Sequence, residues 1–217
     1  MKREMNLLKH VVVTATEDWE LIRENPMGRV KRPAPGRRRT RRVYPDEIEK
    51  ISAQLDLDAE TWTTERQIVG AAFLFAIEAA MRSGEILAIR NRDVAGMTVH
   101  VPASKNDHPR DVPMTHWAVE ILEKIRREQI APERHPFAID AASRDSLFRL
   151  AVKRAGVADL HFHDTRHEAI TRLAKRLEIL DLARVTGHKN LNELLATVSF
   201  RGVWAPIPAV FCTAHWR

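Results

Sequence analysis

The chain carries a single cysteine, Cys212, and a single tyrosine, Tyr44. One cysteine excludes an intrachain disulfide and fits a reducing compartment, and no Cys/His cluster has zinc spacing. Long hydrophobic runs are also missing. The longest uncharged apolar stretch, Val69 to Ile77, is far below the ~18 residues that read as a membrane span, so it predicts a buried helix instead. Residues 1–22 place charges on both sides of a short apolar patch and show no small-residue cleavage signal, which argues against a secretory leader. The sequence therefore predicts a cytoplasmic protein with no metal, no cofactor and no membrane partner. It contains no internal repeats.

What remains is a globular chain of 217 residues, 44% hydrophobic and 29% charged. That composition excludes disorder of the whole chain and allows one main domain with a small appendage. The net charge of +6 and a pI near 9.8 favour a polyanionic partner. The charge is concentrated. Arg29, Lys31, Arg32, Arg37, Arg38, Arg39, Arg41 and Arg42 crowd a segment broken by Pro33, Pro35 and Gly36, which reads as an extended linker. Two readings stand for Arg37, Arg38, Arg39, Arg41 and Arg42: a strap along a DNA backbone, or a solvated connection.

The elements are mainly helical. Val11 to Ile22 has helical spacing of Ala15, Trp19 and Ile22, and Asn25-Pro26 stops it. Tyr44-Pro45-Asp46-Glu47 opens a second helix, with proline and acids in its first turn and Ile48, Ile51 and Leu55 as its inner stripe. Glu65 to Met81 predicts the central helix. Leu87 to Val94, Met97 to Val101 and Arg110 to Val112 read as a small antiparallel sheet with a polar loop at Ser104 to Pro109. Helical patterning then returns in Met114–Gln129, Asp145–Ala155, His163–Lys175 and Asp181–Thr186, with Gly156 and Gly187 as stops. Asn190 and Glu193 have capping-box spacing for a last helix through Leu195. The fold class expected is α+β, mainly α with a small antiparallel β-sheet.

Chemistry concentrates in His163-Asp164-Thr165-Arg166-His167 and, further on, Gly187-His188. On one helix, Arg166 and His167 fall at i+3 and i+4 from His163, so the three side chains share a face. A guanidinium there can grip two oxygens of a phosphate, while an imidazole can donate to another or move a proton. By itself the pattern also fits an ordinary solvated helix start.

Together with Ala79-Ala80-Met81-Arg82-Ser83-Gly84-Glu85-Ile86-Leu87, Ser104-Lys105-Asn106-Asp107, Asp111-Val112-Pro113-Met114 and Gly187-His188-Lys189-Asn190, this stretch resembles the catalytic domain of the tyrosine recombinases, the phage-integrase family. The match runs in order from about Tyr44 to Leu195. In that family the arginine ends a buried helix and a Gly-Glu turn leads into the sheet. The resemblance implies Arg82, Lys105, His163, Arg166 and His188 as catalytic residues, with Glu85 and His167 in support. It further implies site-specific recombination of double-stranded DNA by metal-free transesterification through a 3′-phosphotyrosyl link. Arg82 and Arg166 would stabilise the extra charge on phosphorus, and Lys105 would protonate the departing 5′-oxygen. Glu85 would orient Arg82. The partners so implied are DNA and a homo-tetramer assembled on it.

The nucleophile is missing. The family's tyrosine falls about nine residues after the last histidine, and Thr197 occupies that position. An aliphatic hydroxyl lacks the acidity of a phenol, whose pKa is near ~10, so Thr197 is no substitute. Tyr44, at the start of the domain, is expected to pack. Arg-Tyr encoded as CGC-TAC and read one nucleotide late becomes Ala-Thr, which is Ala196-Thr197; a single-base deletion after Leu195 would also explain the patternless tail that follows. The expected organisation is therefore 1–28 as a remnant of a core-binding domain's last helix, carrying Trp19, Asn25 and Pro26. Residues 29–42 follow as a basic linker, 43–195 as the catalytic domain and 196–217 as an aberrant, frameshifted tail. The function expected is that of a prophage-type integrase fragment deficient in cleavage. The alternatives are a non-catalytic DNA-binding remnant and a basic helical regulatory protein.

Overall fold

In the computed structural model, which describes residues 2–31, 39–103, 108–126 and 131–198, the chain divides into two units, Met1–Arg39 and Thr40–Arg217. The first unit is built on α1 (Lys2–Glu17). This helix starts and stops earlier than the expected span from Val11 to Ile22. It ends because Glu20 takes a left-handed φ of 53° and the Leu21 amide folds back onto the Ala15 carbonyl at 2.9 Å. Of the expected stripe only Ala15 is buried; Trp19 and Ile22 are exposed. Asn25 Oδ1 accepts from the Met27 amide and opens a 3-10 turn over Pro26–Arg29, so Asn25-Pro26 begins an element as well as following one.

The second unit opens with α2 (Pro45–Gln54), where the Glu47 carboxylate reaches back to the Tyr44 amide at 3.0 Å. Its stripe of Ile48, Ile51 and Leu55 is fully buried, whereas Tyr44 is 56% exposed. The packing role expected of that phenol is corrected: its ring faces solvent beneath the Arg41 guanidinium, 5.9 Å from the centroid. Next comes α3 (Glu65–Ala79), capped by reciprocal Thr64 and Gln67 contacts. Every residue from Gln67 to Ile77 is buried, because α5 (His116–Arg126), α6 (Ala141–Arg154) and α7 (Asp164–Leu173) all pack around it.

Beyond α3 the expectation of a strand from Leu87 fails. Ala80 turns left-handed at φ 51°, and Ser83–Ala88 forms a short helix, α4. The Gly-Glu pair is thus the first turn of a helix. Glu85 explains it: its Oε2 accepts the Arg82 amide at 2.8 Å, the N3-carboxylate cap that a helix start favours. Asp93 does the same for the Arg90 amide at 2.9 Å, giving a 3-10 turn over Asn91–Asp93. Among the described residues strands follow only at β1 (Val94–Ala95), β2 (Thr98–Val101) and β3 (Arg110–Pro113), in the order β1-β2-β3 and antiparallel throughout. Val99 pairs with Val112 and both are buried, while His100 and Asp111 pair on the outer face.

The last helices of the described residues are α8 (Ile179–Thr186) and α9 (Leu191–Leu195). Gly187 ends α8 at φ 69°, and Asn190 Oδ1 caps α9 through the Asn192 amide. Two apolar clusters result. The larger holds Phe73, Phe75, Phe137, Phe148 and Phe162, whose rings meet at 5.2–5.3 Å; each fully buried ring of this size contributes roughly 1.5–3 kcal/mol. The smaller joins Ala80, Ala169, Ile170, Leu182, Ala183, Leu194 and Val198. It joins the end of α3 to α7, α8 and α9. Val198, in the segment expected to be an unpatterned tail, is part of that cluster; residues 199–217 lie outside the described residues.

Candidate phosphate-binding site

Four segments meet at the turn after α8. Arg166, on the first turns of α7, is buried at 5% exposure. Its Nη1 donates to the Ala80 carbonyl at 2.6 Å and its Nη2 to the Thr186 carbonyl at 2.7 Å. Both acceptors are helix-end carbonyls, which lack intrahelical partners and draw cations. Arg82, the residue before α4, donates from Nη2 to the Gly187 carbonyl at 3.3 Å and from Nη1 to Glu85 Oε1 at 3.0 Å. Its side chain keeps 38% exposure. The two arginines expected to share an anion thus contact consecutive carbonyls of one turn.

His188 follows that turn. Its Nδ1 lies 2.7 Å from the Thr186 hydroxyl, which is also 2.6 Å from the Leu182 carbonyl. A hydroxyl has one proton. Donated to the carbonyl, it leaves the oxygen to accept from Nδ1–H, and Nε2 becomes the ring's outward atom. Burial, then Arg166, Arg82 and Arg110, press the His188 pKa down to about 4. His163 immediately precedes α7 and meets the His167 ring edge-on, 5.4 Å between centroids. Its pKa is also lowered, by partial desolvation and by Arg166 and Arg82, against the opposing pull of Asp164. Both imidazoles are neutral near pH 7 in a field of guanidinium charge, which is the environment an anion would enter.

Glu85 carries more than the expected contact. Besides holding Arg82 it receives Arg110, which donates from Nη1 to Oε1 at 3.0 Å and from Nη2 to Oε2 at 2.7 Å. Burial would raise the Glu85 carboxyl, but Arg110, with the amide and guanidinium of Arg82, holds it below the usual range. Arg110 was not singled out by the sequence. The available signal was strand alternation: it shares a face with Val112, two residues on, which is buried.

Of the basic strap, Arg37 and Arg38 lie outside the described residues, as does Lys105. Arg41 and Arg42 are tied inward. Arg41 is paired with Glu47 and Arg42 with Glu168 at 2.6 Å, their side chains 18% and 14% exposed. Glu168 also binds Arg172 at 2.8 Å, and Arg172 reaches Glu78 at 3.5 Å. In this structure both side chains are engaged inside the domain. Thr197 is half-buried after α9, its hydroxyl donating to the Glu193 carbonyl at 2.8 Å. Among the described residues no group of three or more His, Cys, Asp or Glu side chains could hold a metal ion, and no helix is long and apolar enough to cross a membrane.

A helical domain with a three-stranded antiparallel sheet, bringing two arginines and His188 to one turn, is the architecture of a tyrosine recombinase catalytic domain. Residues 41–196 match the phage integrase family, and the chain belongs to it. A Haemophilus influenzae protein named as an integrase/recombinase is 37% identical over 89% of this chain and 64% of its own length. The shufflon-specific DNA recombinase of Escherichia coli is 31% identical over 89% of this chain and 49% of its own. The chain therefore spans between about half and just under two thirds of these relatives. Among solved structures, the lambda integrase (75-356) dimer bound to a COC′ core site aligns with a TM-score of 0.74 at 19% identity, covering 95% of this chain and 75% of that one. XerA recombinase aligns at 0.60 and 17% identity, covering 93% and 72%. These likenesses give the fold.

Proposed function

We propose that the chain is the catalytic-domain portion of a site-specific DNA recombinase, which binds the phosphodiester of duplex DNA but does not cleave it. The observation that carries the binding half is the convergence of Arg82 and Arg166 on the carbonyls of Gly187 and Thr186. Fixed donors aimed at one place stabilise developing charge without reorganising during the step. Arg82 and Arg166 take the non-bridging oxygens. His188 presents Nε2 to the same group, and negative charge arriving there raises its affinity for a proton, turning it into a donor. His163, whose ring meets that of His167, is a second donor or proton carrier. Lys105 protonates the leaving 5′-oxygen in the intact reaction. Double-stranded DNA is the proposed partner, in keeping with lambda integrase structures that hold a dimer on a COC′ core site and a tetramer on a Holliday junction; a tetramer is proposed here for the full-length enzyme.

The cleavage half fails at Thr197, which stands where the family's tyrosine falls. Its hydroxyl is held by Glu193 and has neither the acidity nor the leaving ability of a phenol. A nicked suicide duplex that traps the covalent intermediate tests this directly. No protein–DNA adduct is expected, alongside retained duplex binding; an adduct would show that some residue attacks and would overturn the reading. The reading frames around codon 197 supply the second check, since a single-base deletion predicts a tyrosine codon there in a neighbouring frame.

A further inference from the structure

Arg110 lies on β3 with its side chain only 8% exposed, yet three of its donors converge on the site's frame. Two bind Glu85, and Nε donates to the Val185 carbonyl at 3.0 Å. A Cβ built on Gly187 would stand 3.1 Å from its guanidinium, so Arg110 packs against the turn whose Gly187 carbonyl Arg82 contacts. Glu85 is shared: Oε1 receives Nη1 of both arginines, and Oε2 receives the Arg82 amide and Arg110 Nη2. Charge follows from the count. Two guanidinium groups against one carboxylate leave a net positive cluster. With Arg110 gone, Glu85 and Arg82 would cancel, leaving the more exposed of the two arginines with little charge to offer an anion.

We infer that Arg110 is a positioning residue of the phosphate site, neutralising Glu85 so that Arg82 remains cationic toward DNA while bracing the Val185–Gly187 turn from behind. The inference rests on the phosphate-binding reading above. It differs from a purely structural role in one respect: removing a buried carboxylate's partner leaves an uncompensated charge, whereas removing both members is close to neutral. An architectural brace would not be restored by deleting Glu85.

The test compares the 217-residue chain with its Arg110→Met, Arg110→Met/Glu85→Gln, Arg110→Lys and Arg82→Ala variants. Each is titrated into a fluorescein-labelled mixed-sequence duplex at fixed salt, well below its own unfolding temperature. Losing a charge-assisted contact of this kind corresponds to a weakening of about tenfold for Arg110→Met. The double variant is expected to return to within about threefold of wild type. Arg110→Lys, which keeps the charge but not the fork, should fall between and guards against a variant that fails to fold. Imidazole proton shifts in the DNA-free protein give an independent readout: the His188 pKa should rise in Arg110→Met, because one of the cations pressing it down is removed. If Arg82→Ala weakens binding but Arg110→Met does not, or if Glu85→Gln restores nothing, the inference on Arg110 is overturned and the phosphate site stands. If Arg82→Ala has no effect, the phosphate site itself is wrong.

Discussion

Arg166 and Arg82 donate to the carbonyls of consecutive residues, Thr186 at 2.7 Å and Gly187 at 3.3 Å. One of the pair is buried and the other more than one-third exposed. The same contact therefore has two consequences: Arg166 joins α3, α7 and α8, and Arg82 presents charge to whatever approaches.

Arg166→Ala should lose stability as well as DNA affinity. Two carbonyls, of Ala80 and Thr186, would lose buried donors, a destabilisation of about 3 kcal/mol. Urea denaturation checks it; a midpoint unchanged from wild type would mean that water replaces the guanidinium.

Gly187→Ala meets two obstacles, a left-handed φ of 69° and the Arg110 guanidinium at 3.1 Å from the added carbon. Strain and displacement together should lower stability by about 1–2 kcal/mol. Duplex affinity should fall with it, since the Gly187 carbonyl is the acceptor for Arg82. Equal affinity in the alanine variant would detach the turn from the binding site.

Glu168→Ala should destabilise the domain by about 3 kcal/mol, because Arg42 and Arg172 would be left without their shared buried carboxylate. Burial would raise that carboxyl, but Arg42 and Arg172 hold it below its usual range. A loss of thermal stability with duplex affinity changed less than in Arg82→Ala identifies Arg42 as a latch. A gain in duplex affinity, from guanidinium groups freed by the loss of the carboxylate, would restore the phosphate strap.

The histidines set a pH window. His188 has a folded pKa of about 4 against an ordinary value of 6.5, and that of His163 is lowered too. The unfolded chain then binds more protons between these values, so stability is fully present above about 6.5 and is lost as pH falls toward 4. The carboxylates held low, Glu85 and Glu168, act in the same direction at lower pH. His188→Gln should flatten the slope of unfolding free energy between pH 6.5 and 4; an unchanged slope would mean that the ring is not held neutral.

Part of the candidate site was legible because its residue types are uncommon in combination: Arg82, His163, Arg166 and His188 stood out by motif, and the structure brings Arg82, Arg166 and His188 to one turn. The long buried helix α3 was equally plain, since an uncharged run of that length has nowhere else to go. Arg110 was hidden because its role comes from Glu85, distant in sequence and on another element. Arg41 and Arg42 stayed ambiguous for the same reason: composition shows a cluster of charge but not that Glu47 and Glu168 pair with them. The strand expected from Leu87 was lost to capping. Arg-Ser-Gly-Glu and Arg-Asn-Arg-Asp each place an acid three residues after a helix start, and those contacts outweighed the apolar pattern.

The central claim, that Arg82 and its buried companion hold a DNA phosphate, is tested most directly by the salt dependence of duplex binding in wild type and Arg82→Ala. The account predicts an affinity lower by about tenfold at fixed salt. It also predicts a log–log salt slope shallower by about one, as expected when one phosphate contact is removed. Superimposable curves for the two proteins would contradict it.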